Sequence, residues 1–285
     1  MNRKKVTILD LQDKKDKGVP ITMLTAYDYP TGLLVDRAGI DIILVGDSLA
    51  MVVLGHENTV SVTMEEMLHH CQAVARGAQN PLLIGDMPFL SYQVDAKEAV
   101  RNAGRFLKEG RMDVVKLEGG REMASTVRAI VEAGIPVMGH IGLTPQSISK
   151  LGGFRVQGRD VAGAKALIDD ALALQDAGAF SILLEAIPAP VARLITERVS
   201  IPTVGIGAGP DCDGQVLVLH DLIGLFDRFV PRFAKPYANV FATVMQALET
   251  YRQEIMTRTF PGPEHSYSMS DKALQALLKE LGEPS

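Results

Sequence analysis

Cysteine is scarce in this sequence: its 285 residues hold two, Cys71 and Cys212. Neither belongs to a CxxC pair or to another metal-site spacing. That suits a reducing compartment better than a disulfide framework, and the two read as plain buried or half-buried thiols. A basic stripe is also missing. The formal net charge is −5 and charged residues make up 22%, so the charge pattern carries no nucleic-acid footprint. The start, "MNRKKVTILDLQDKKDKG", has basic residues but no apolar core, so it does not read as a secretory leader. The most apolar stretch, "GIDIILVGDSLAMVVLG", is broken by Asp41 and Asp47. It falls short of the roughly 20 mostly apolar residues that a membrane span requires. These absences together lead to the expectation of a cytoplasmic protein that binds neither membrane nor nucleic acid.

What is present is a repeating pattern. Eight short apolar runs recur: "ITMLTAYD", "IILVGD", "PLLIGDMP", "VVKLEG", "PVMGHIG", "FSILLEA", "PTVGIGAG" and "HDLIGL". They are rich in Val, Ile and Leu, as strands covered on both faces must be. Amphipathic segments separate them. "TMEEMLHHCQAVARGA" opens with Thr63 and Glu66 at capping-box spacing and meets a stop at Gly77. "DAKEAVRNAGRFLKEG" pairs Asp95 with Glu98 in the same way. Helix, glycine stop, then strand is the signature of an α/β chain. Eight such units predict a single (β/α)8 barrel domain over residues 1–285, with the barrel at about 20–250 and a helical tail at about 251–285. "ILDLQDKKDKG" adds an N-terminal helix, and "YANVFATVMQALETYRQEIM" and "KALQALLKEL" add C-terminal ones.

In such barrels chemistry sits at the C-terminal ends of the strands. Those ends read Asp28, Asp47 with Ser48, Asp86, Glu118, His140 and Glu185. A strand-end carboxylate can be a mere N-cap for the next helix. That reading is weaker for Asp47 and Asp86, because several residues follow each before a helix starts. It fails for Glu118, because strand alternation puts Lys116 and Glu118 on one face. Converging carboxylates need a compensating cation. Lys116 is one, and a divalent metal is the natural second. Oxygen ligands without a Cys or His cluster favour Mg²⁺, for which Asp47, Asp86 and Glu118 are the candidates. His140 is aimed at the same mouth and is expected to contact ligand. His69 and His70 read as structural or surface residues, and His56 lies in a loop that could be a lid or simply solvated. The "GIGAG" run suggests a phosphate loop, but the two acids in the following "PDCD" argue against it.

Six stretches, "TAYDYP", "VGDSLAMVVLGHENT", "IGDMPFLSY", "VKLEGG", "GHIGLTPQS" and "GIGAGPDCDGQVLVLHDLIG", closely resemble the ketopantoate hydroxymethyltransferase family. The resemblance implies a barrel of the phosphoenolpyruvate/pyruvate-binding type. It implies transfer of a one-carbon unit from 5,10-methylenetetrahydrofolate to 3-methyl-2-oxobutanoate, through an enolate that Mg²⁺ stabilises, with 2-dehydropantoate as product. It also implies one Mg²⁺ per subunit and a homodecamer. Carried over by motif, Asp47, Asp86 and Glu118 hold the metal, and Asp47, Ser48, Asp86, Lys116 and His140 face the oxoacid. Glu185 is the catalytic base. Two long loops, "AMVVLGHENTVSV" and "TPQSISKLGGFRVQGRD", are expected to close over the mouth. The alternatives are another Mg²⁺-dependent carbon–carbon lyase or mutase of the same barrel superfamily, and a scaffold that retains the site without activity.

Overall fold

The computed structural model describes residues 3–147, 153, 155–226 and 231–283. The chain forms two compact units, Met1–Tyr237 and Ala238–Ser285. The first is a closed barrel of eight parallel strands in sequential order. The strands are β1 (Ile21–Thr25), β2 (Ile42–Val45), β3 (Leu82–Asp86), β4 (Val114–Glu118), β5 (Val137–Gly142), β6 (Ser181–Glu185), β7 (Thr203–Ile206) and β8 (Gly214–Leu217). Helices α2 (Tyr29–Arg37), α3 (Leu49–Val52), α4 (Met64–Gly77), α5 (Ala96–Lys108), α6 (Ala124–Glu132), α7 (Val161–Asp176), α8 (Ala189–Arg198) and α9 (Leu219–Ile223) follow the strands. The (β/α)8 expectation is met.

Side-chain alternation divides the apolar residues into two clusters. Ile42, Leu44, Leu82, Ile84, Val114, Met138, Leu183 and Val216 fill the barrel interior. Ile43, Val45, Leu83, Val115, Leu117 and Ile182 face outward and pack on the helices. Each fully buried side chain of this size contributes about 1.5–3 kcal/mol. The expected N-terminal helix α1 (Ile8–Asp16) is present and starts at a Thr7/Asp10 capping box. Its Leu11 joins the interior cluster and closes the N-terminal end of the barrel.

Three acids pin that closed end. Asp41, Asp113 and Asp213 immediately precede β2, β4 and β8. Each accepts a backbone N–H from the preceding strand, at Thr22 (2.9 Å), Leu83 (2.8 Å) and Thr203 (2.8 Å). Each also pairs with a lysine of the N-terminal segment: Lys14 at 2.7 Å, Lys5 at 2.6 Å and Lys15 at 2.8 Å. Burial opposes the charge on Asp41, but Lys14 and Thr22 outweigh it and hold its carboxyl below the usual range.

Two expectations need correction. "HDLIGL" is not the eighth strand. That place is taken by "GQVL", which pairs Ile21 with Gly214 and Val204 with Gly214. The apolar run "HDLIGL" instead overlaps α9, which ends on Gly224 in the left-handed conformation at φ 64°. A short apolar run ending in glycine fits a strand or a capped helix equally by periodicity. Asp28 does not open onto the mouth. It is exposed and caps α2, accepting from the Thr31 amide while the Thr31 hydroxyl answers it.

The second unit holds helices α10 (Val240–Thr257) and α11 (Asp271–Leu281), as the C-terminal periodicity predicts. Phe241, Met245, Leu248 and Ile255 form an exposed apolar stripe along α10. No helix among the described residues is long and apolar enough to cross a membrane.

Candidate active site

The inward-facing positions change character along each strand. On β3 they run Leu82, Ile84, Asp86, and on β4 Val114, Lys116, Glu118. On β5 Met138 is followed by His140, and on β6 Leu183 by Glu185. Apolar residues fill the barrel, and charged ones replace them at its C-terminal mouth. Register then makes Asp86 the neighbour of Lys116 and Glu118 the neighbour of His140. The mouth encloses a cavity of about 350 Å³. Asp47, Ser48, Asp86, Lys116, Glu118, His140 and Glu185 all line it. The structure thus brings together every site residue expected from the sequence.

The cluster is almost dry. Asp86 is 1% exposed, Lys116 2%, Glu118 4% and Asp47 5%. Lys116 Nζ donates to Asp86 Oδ1 at 2.6 Å, and the Asp47 amide donates to Asp86 Oδ2 at 3.1 Å. Burial alone would pull the Lys116 ammonium down, but Asp86, Glu118 and Asp47 outweigh it and raise it. Asp47 is driven well above the usual carboxylate range, first by burial and then by repulsion from Asp86 and Glu118. His140 has Nδ1 3.5 Å from Glu118 Oε1 and Nε2 3.3 Å from Glu185 Oε2, contacts too poorly aligned to be hydrogen bonds. Burial and Lys116 pull the imidazole down, yet the two carboxylates prevail and hold it at about 9.

Three buried acids therefore crowd around one lysine and one histidine. Buried Glu118 Oε1 has no hydrogen-bond partner. A divalent cation would answer both that orphan oxygen and the repulsion on Asp47, and the donor set is all oxygen, so these residues fit Mg²⁺. Among the described residues no group of three or more His, Cys, Asp or Glu stands at direct metal-ligand spacing. A magnesium ion that keeps several waters needs only one or two direct carboxylates.

Gln146, Tyr92 and Asp221 were not singled out from the sequence. Gln146 is 5% exposed. Its side-chain amide donates to Asp47 Oδ2 (3.0 Å) and the Met87 carbonyl (2.9 Å), and its backbone N–H donates to Glu118 Oε2 (3.0 Å). The Tyr92 hydroxyl donates to Gln146 Oε1 at 2.7 Å and accepts from the Glu118 amide at 3.1 Å. These contacts orient two of the candidate ligands. Both residues lie in stretches that carried the family resemblance, but a loop glutamine gives no sign of its burial. Ser48 is held through Tyr27, its Oγ lying 2.8 Å from the phenol oxygen.

Glu185 is followed by Ala186 in the left-handed region at φ 48°. That conformation costs a non-glycine residue about 1–2 kcal/mol. Hydrogen bonds from the Ala186 amide to the Ile206 carbonyl and from the Gln157 amide to the Ala186 carbonyl hold it there. The neighbouring Gly142, at φ 99°, lets β5 pass the Glu185 carbonyl where a Cβ would collide. His69 is exposed, His70 Nδ1 meets the Tyr27 carbonyl at 2.6 Å, and His56 is exposed in its loop. Of the second expected lid loop, residues 148–152 and 154 lie outside the described residues. Asp221, on α9, lines the same cavity at 6% exposure, and burial pushes its carboxyl up to about 6.

Two predictions follow from these contacts. Gln146→Leu keeps the approximate shape but leaves Asp47 Oδ2 and the Tyr92 hydroxyl without their partner. Urea denaturation is expected to show a loss of about 1–3 kcal/mol. With its donor gone Asp47 holds its proton more tightly, so the rise in melting temperature on adding Mg²⁺ should shrink. An unchanged stability and an unchanged Mg²⁺ response would show that Gln146 organises neither. The second concerns pH. The folded pKa of Asp221, about 6, lies above its ordinary 3.8. Its contribution to stability is thus complete below the lower value and is lost as pH rises through the upper one. Asp221→Asn does not titrate, so its melting temperature relative to the unsubstituted protein should climb from pH 4 to pH 7. Parallel melting curves across that window would refute the assignment.

A family model for ketopantoate hydroxymethyltransferase matches residues 5–263. The 3-methyl-2-oxobutanoate hydroxymethyltransferase of Syntrophobacter fumaroxidans is 59% identical over 94% of this chain and 95% of its own. Among solved structures, phosphonopyruvate hydrolase in complex with oxalate and Mg++ superposes with a TM-score of 0.61 at 12% identity, covering 97% of this chain and 95% of that one. 2,3-Dimethylmalate lyase, a member of the PEP mutase/isocitrate lyase superfamily, gives 0.59 at 16%, with coverage of 97% and 95%. At such identities the two structures establish the barrel type, and the sequence match establishes more: the chain belongs to the ketopantoate hydroxymethyltransferase family.

Proposed function

We propose that this protein transfers a hydroxymethyl group from 5,10-methylenetetrahydrofolate to 3-methyl-2-oxobutanoate, forming 2-dehydropantoate on the route to pantothenate and coenzyme A. The observation that carries this reading is the 59% identity, over 94% of the chain, to a protein of that named activity. The charge arrangement of the mouth is what the chemistry needs. The C3 proton of a 2-oxoacid is too weakly acidic for a carboxylate to remove unaided.

Asp47, Asp86 and Glu118 hold Mg²⁺ in this reading, directly or through water. When bound, Mg²⁺ supplies Lewis acidity toward the keto oxygen. The Mg++ and oxalate named with phosphonopyruvate hydrolase support that choice of ion on this barrel. Lys116 presents a fixed positive charge to the oxoacid oxygens, where negative charge grows as the proton leaves. Ser48, held by Tyr27, donates a hydrogen bond to the oxoacid. Glu185 comes from β6, apart from the metal-holding strands, and its side chain is 16% exposed. It takes the C3 proton, with His140 Nε2 3.3 Å from its carboxylate. The carbon so freed forms the new bond to the folate methylene carbon as one of that carbon's two bonds to folate nitrogen breaks. Water then displaces the second nitrogen and supplies the hydroxyl, and tetrahydrofolate leaves with the C3 proton and one water proton on its two nitrogens. The protein works in the cytoplasm as an oligomer, for which the decamer of the family is the expected form. The exposed apolar stripe of α10 supports self-association.

The test is formation of 2-dehydropantoate with Mg²⁺, the folate and the oxoacid, each omitted in turn. Turnover that survives without the folate would favour a lyase or mutase instead. Glu185→Gln keeps the size of the side chain but cannot accept a proton. It should slow deuterium wash-in at C3, read by proton NMR in D₂O with Mg²⁺ and a tetrahydrofolate, by the ~10²–10⁴-fold worth of a positioned base. Mg²⁺ and oxoacid should still bind. Exchange at the unsubstituted rate would move the base elsewhere, with His140 the next candidate.

A further inference from the structure

The proposed chemistry leaves one acid in the cavity without a task. Asp221 stands on α9, just after β8, and β8 lies across the closed barrel from β4, which carries Lys116 and Glu118. The Asp221 side chain lines the cavity and the residue is 94% buried, being 6% exposed. Among the described residues its carboxylate has no hydrogen bond and no ion pair. The helix that bears it is fixed, since the Leu219 amide donates to Thr25 Oγ1 at 2.9 Å. A desolvated carboxylate without donors is unfavourable by itself. The nearest buried ammonium, Lys116, is already engaged by Asp86 at 2.6 Å.

The chemistry of the two substrates decides what could answer it. An oxoacid anion offers only acceptor oxygens and is repelled by a second carboxylate. The one-carbon carrier is different. The pterin ring of a reduced folate presents a 2-amino group beside a ring N–H, two parallel donors on one flat edge that match the two oxygens of a carboxylate. The wall beside Asp221 suits a flat ring, because Val218, Phe226 and Phe233 line the same cavity. At its rim stand Arg155 and Arg232, both exposed and with no ion pair among the described residues. Guanidinium groups there suit the anionic glutamyl end of the same molecule.

We propose that Asp221 is the pterin receptor of this enzyme, its buried carboxylate accepting the 2-amino and ring N–H donors of the folate from the β8 wall, opposite the oxoacid. The proposal rests on the reading of a reduced folate as one-carbon donor. The raised pKa of Asp221, a consequence of burial, agrees with a carboxylate whose donors arrive with the ligand.

Calorimetry of the full-length protein with tetrahydrofolate and with its 2-desamino analogue tests it. The unsubstituted protein should prefer tetrahydrofolate by roughly 10- to 150-fold, the worth of a hydrogen bond to a charged group. In Asp221→Asn that preference should disappear. Oxoacid affinity in the presence of Mg²⁺ should not weaken, because removing a negative charge cannot disfavour an anion. Asparagine replaces a buried charge with a neutral amide, so the variant should fold, and Asp221→Ser offers the same measurement if it does not. An Asp221→Asn protein that keeps the full preference overturns the assignment, as does one that loses oxoacid affinity with tetrahydrofolate binding intact. The two readings fail differently. An unsubstituted protein that neither binds tetrahydrofolate nor needs a folate for turnover sinks the proposed function and this subsite with it. One that binds it equally with and without Asp221 sinks the subsite alone.

Discussion

The buried pair of Lys116 and Asp86, 2.6 Å apart, is the contact on which the site depends. Among the described residues that line the cavity Lys116 is the only lysine, and it faces three buried acids. Taking away one partner of such a pair typically costs about 3–5 kcal/mol, because the other charge is left in a dry place. Here the loss would spread. Asp47 is already pushed toward protonation by Asp86 and Glu118, and Lys116 is the largest influence acting the other way. The mouth of the barrel thus stores an excess of negative charge that one ammonium only partly offsets. That imbalance makes a divalent cation a fitting guest.

The two ends of the barrel use the same residue type in opposite ways. At the closed end Asp41, Asp113 and Asp213 each accept a backbone N–H and pair with a lysine. Their charges are satisfied by the chain itself, so they tie α1 and the N-terminal segment to the strands. At the open end Glu118 keeps an orphan oxygen and Asp221 has no partner among the described residues. An acid satisfied by the protein stabilises it, whereas an unsatisfied buried acid calls for a ligand. The difference comes from position on the strand, before its first residue or at its last.

Support around the cavity is similarly divided. Gln146 and Tyr92 reach from loops after β5 and β3 to hold Asp47 and Glu118 from behind. Tyr27 holds Ser48. None of these three is charged at neutral pH, so each can fix an oxygen without adding to the crowding of charge. Ala186 and Gly142, both at positive φ, place the Glu185 backbone close against β5. The precision of the site thus lies in uncharged residues around the charged ones.

Much of this was legible from order and alternation. Strand periodicity determined that Lys116 and Glu118 share a face, and that Asp86, His140 and Glu185 look into the same mouth, because in a strand each side chain's face follows from its place. The helix starts at Thr63 and Asp95 were written in their capping residues. Elsewhere local pattern was ambiguous and tertiary contacts decided. "HDLIGL" became a helix because "GQVL" already paired with β1 and closed the barrel. Asp28 became a cap because β1 ends at Thr25 and α2 begins at Tyr29, the residue after Asp28. The burial of Gln146 and the isolation of Asp221 could not be read at all. Both depend on residues far away in the chain, 99 positions in the contact of Gln146 with Asp47, and only the closed barrel brings such residues within a hydrogen bond of each other or leaves a buried carboxylate without a partner among the described residues.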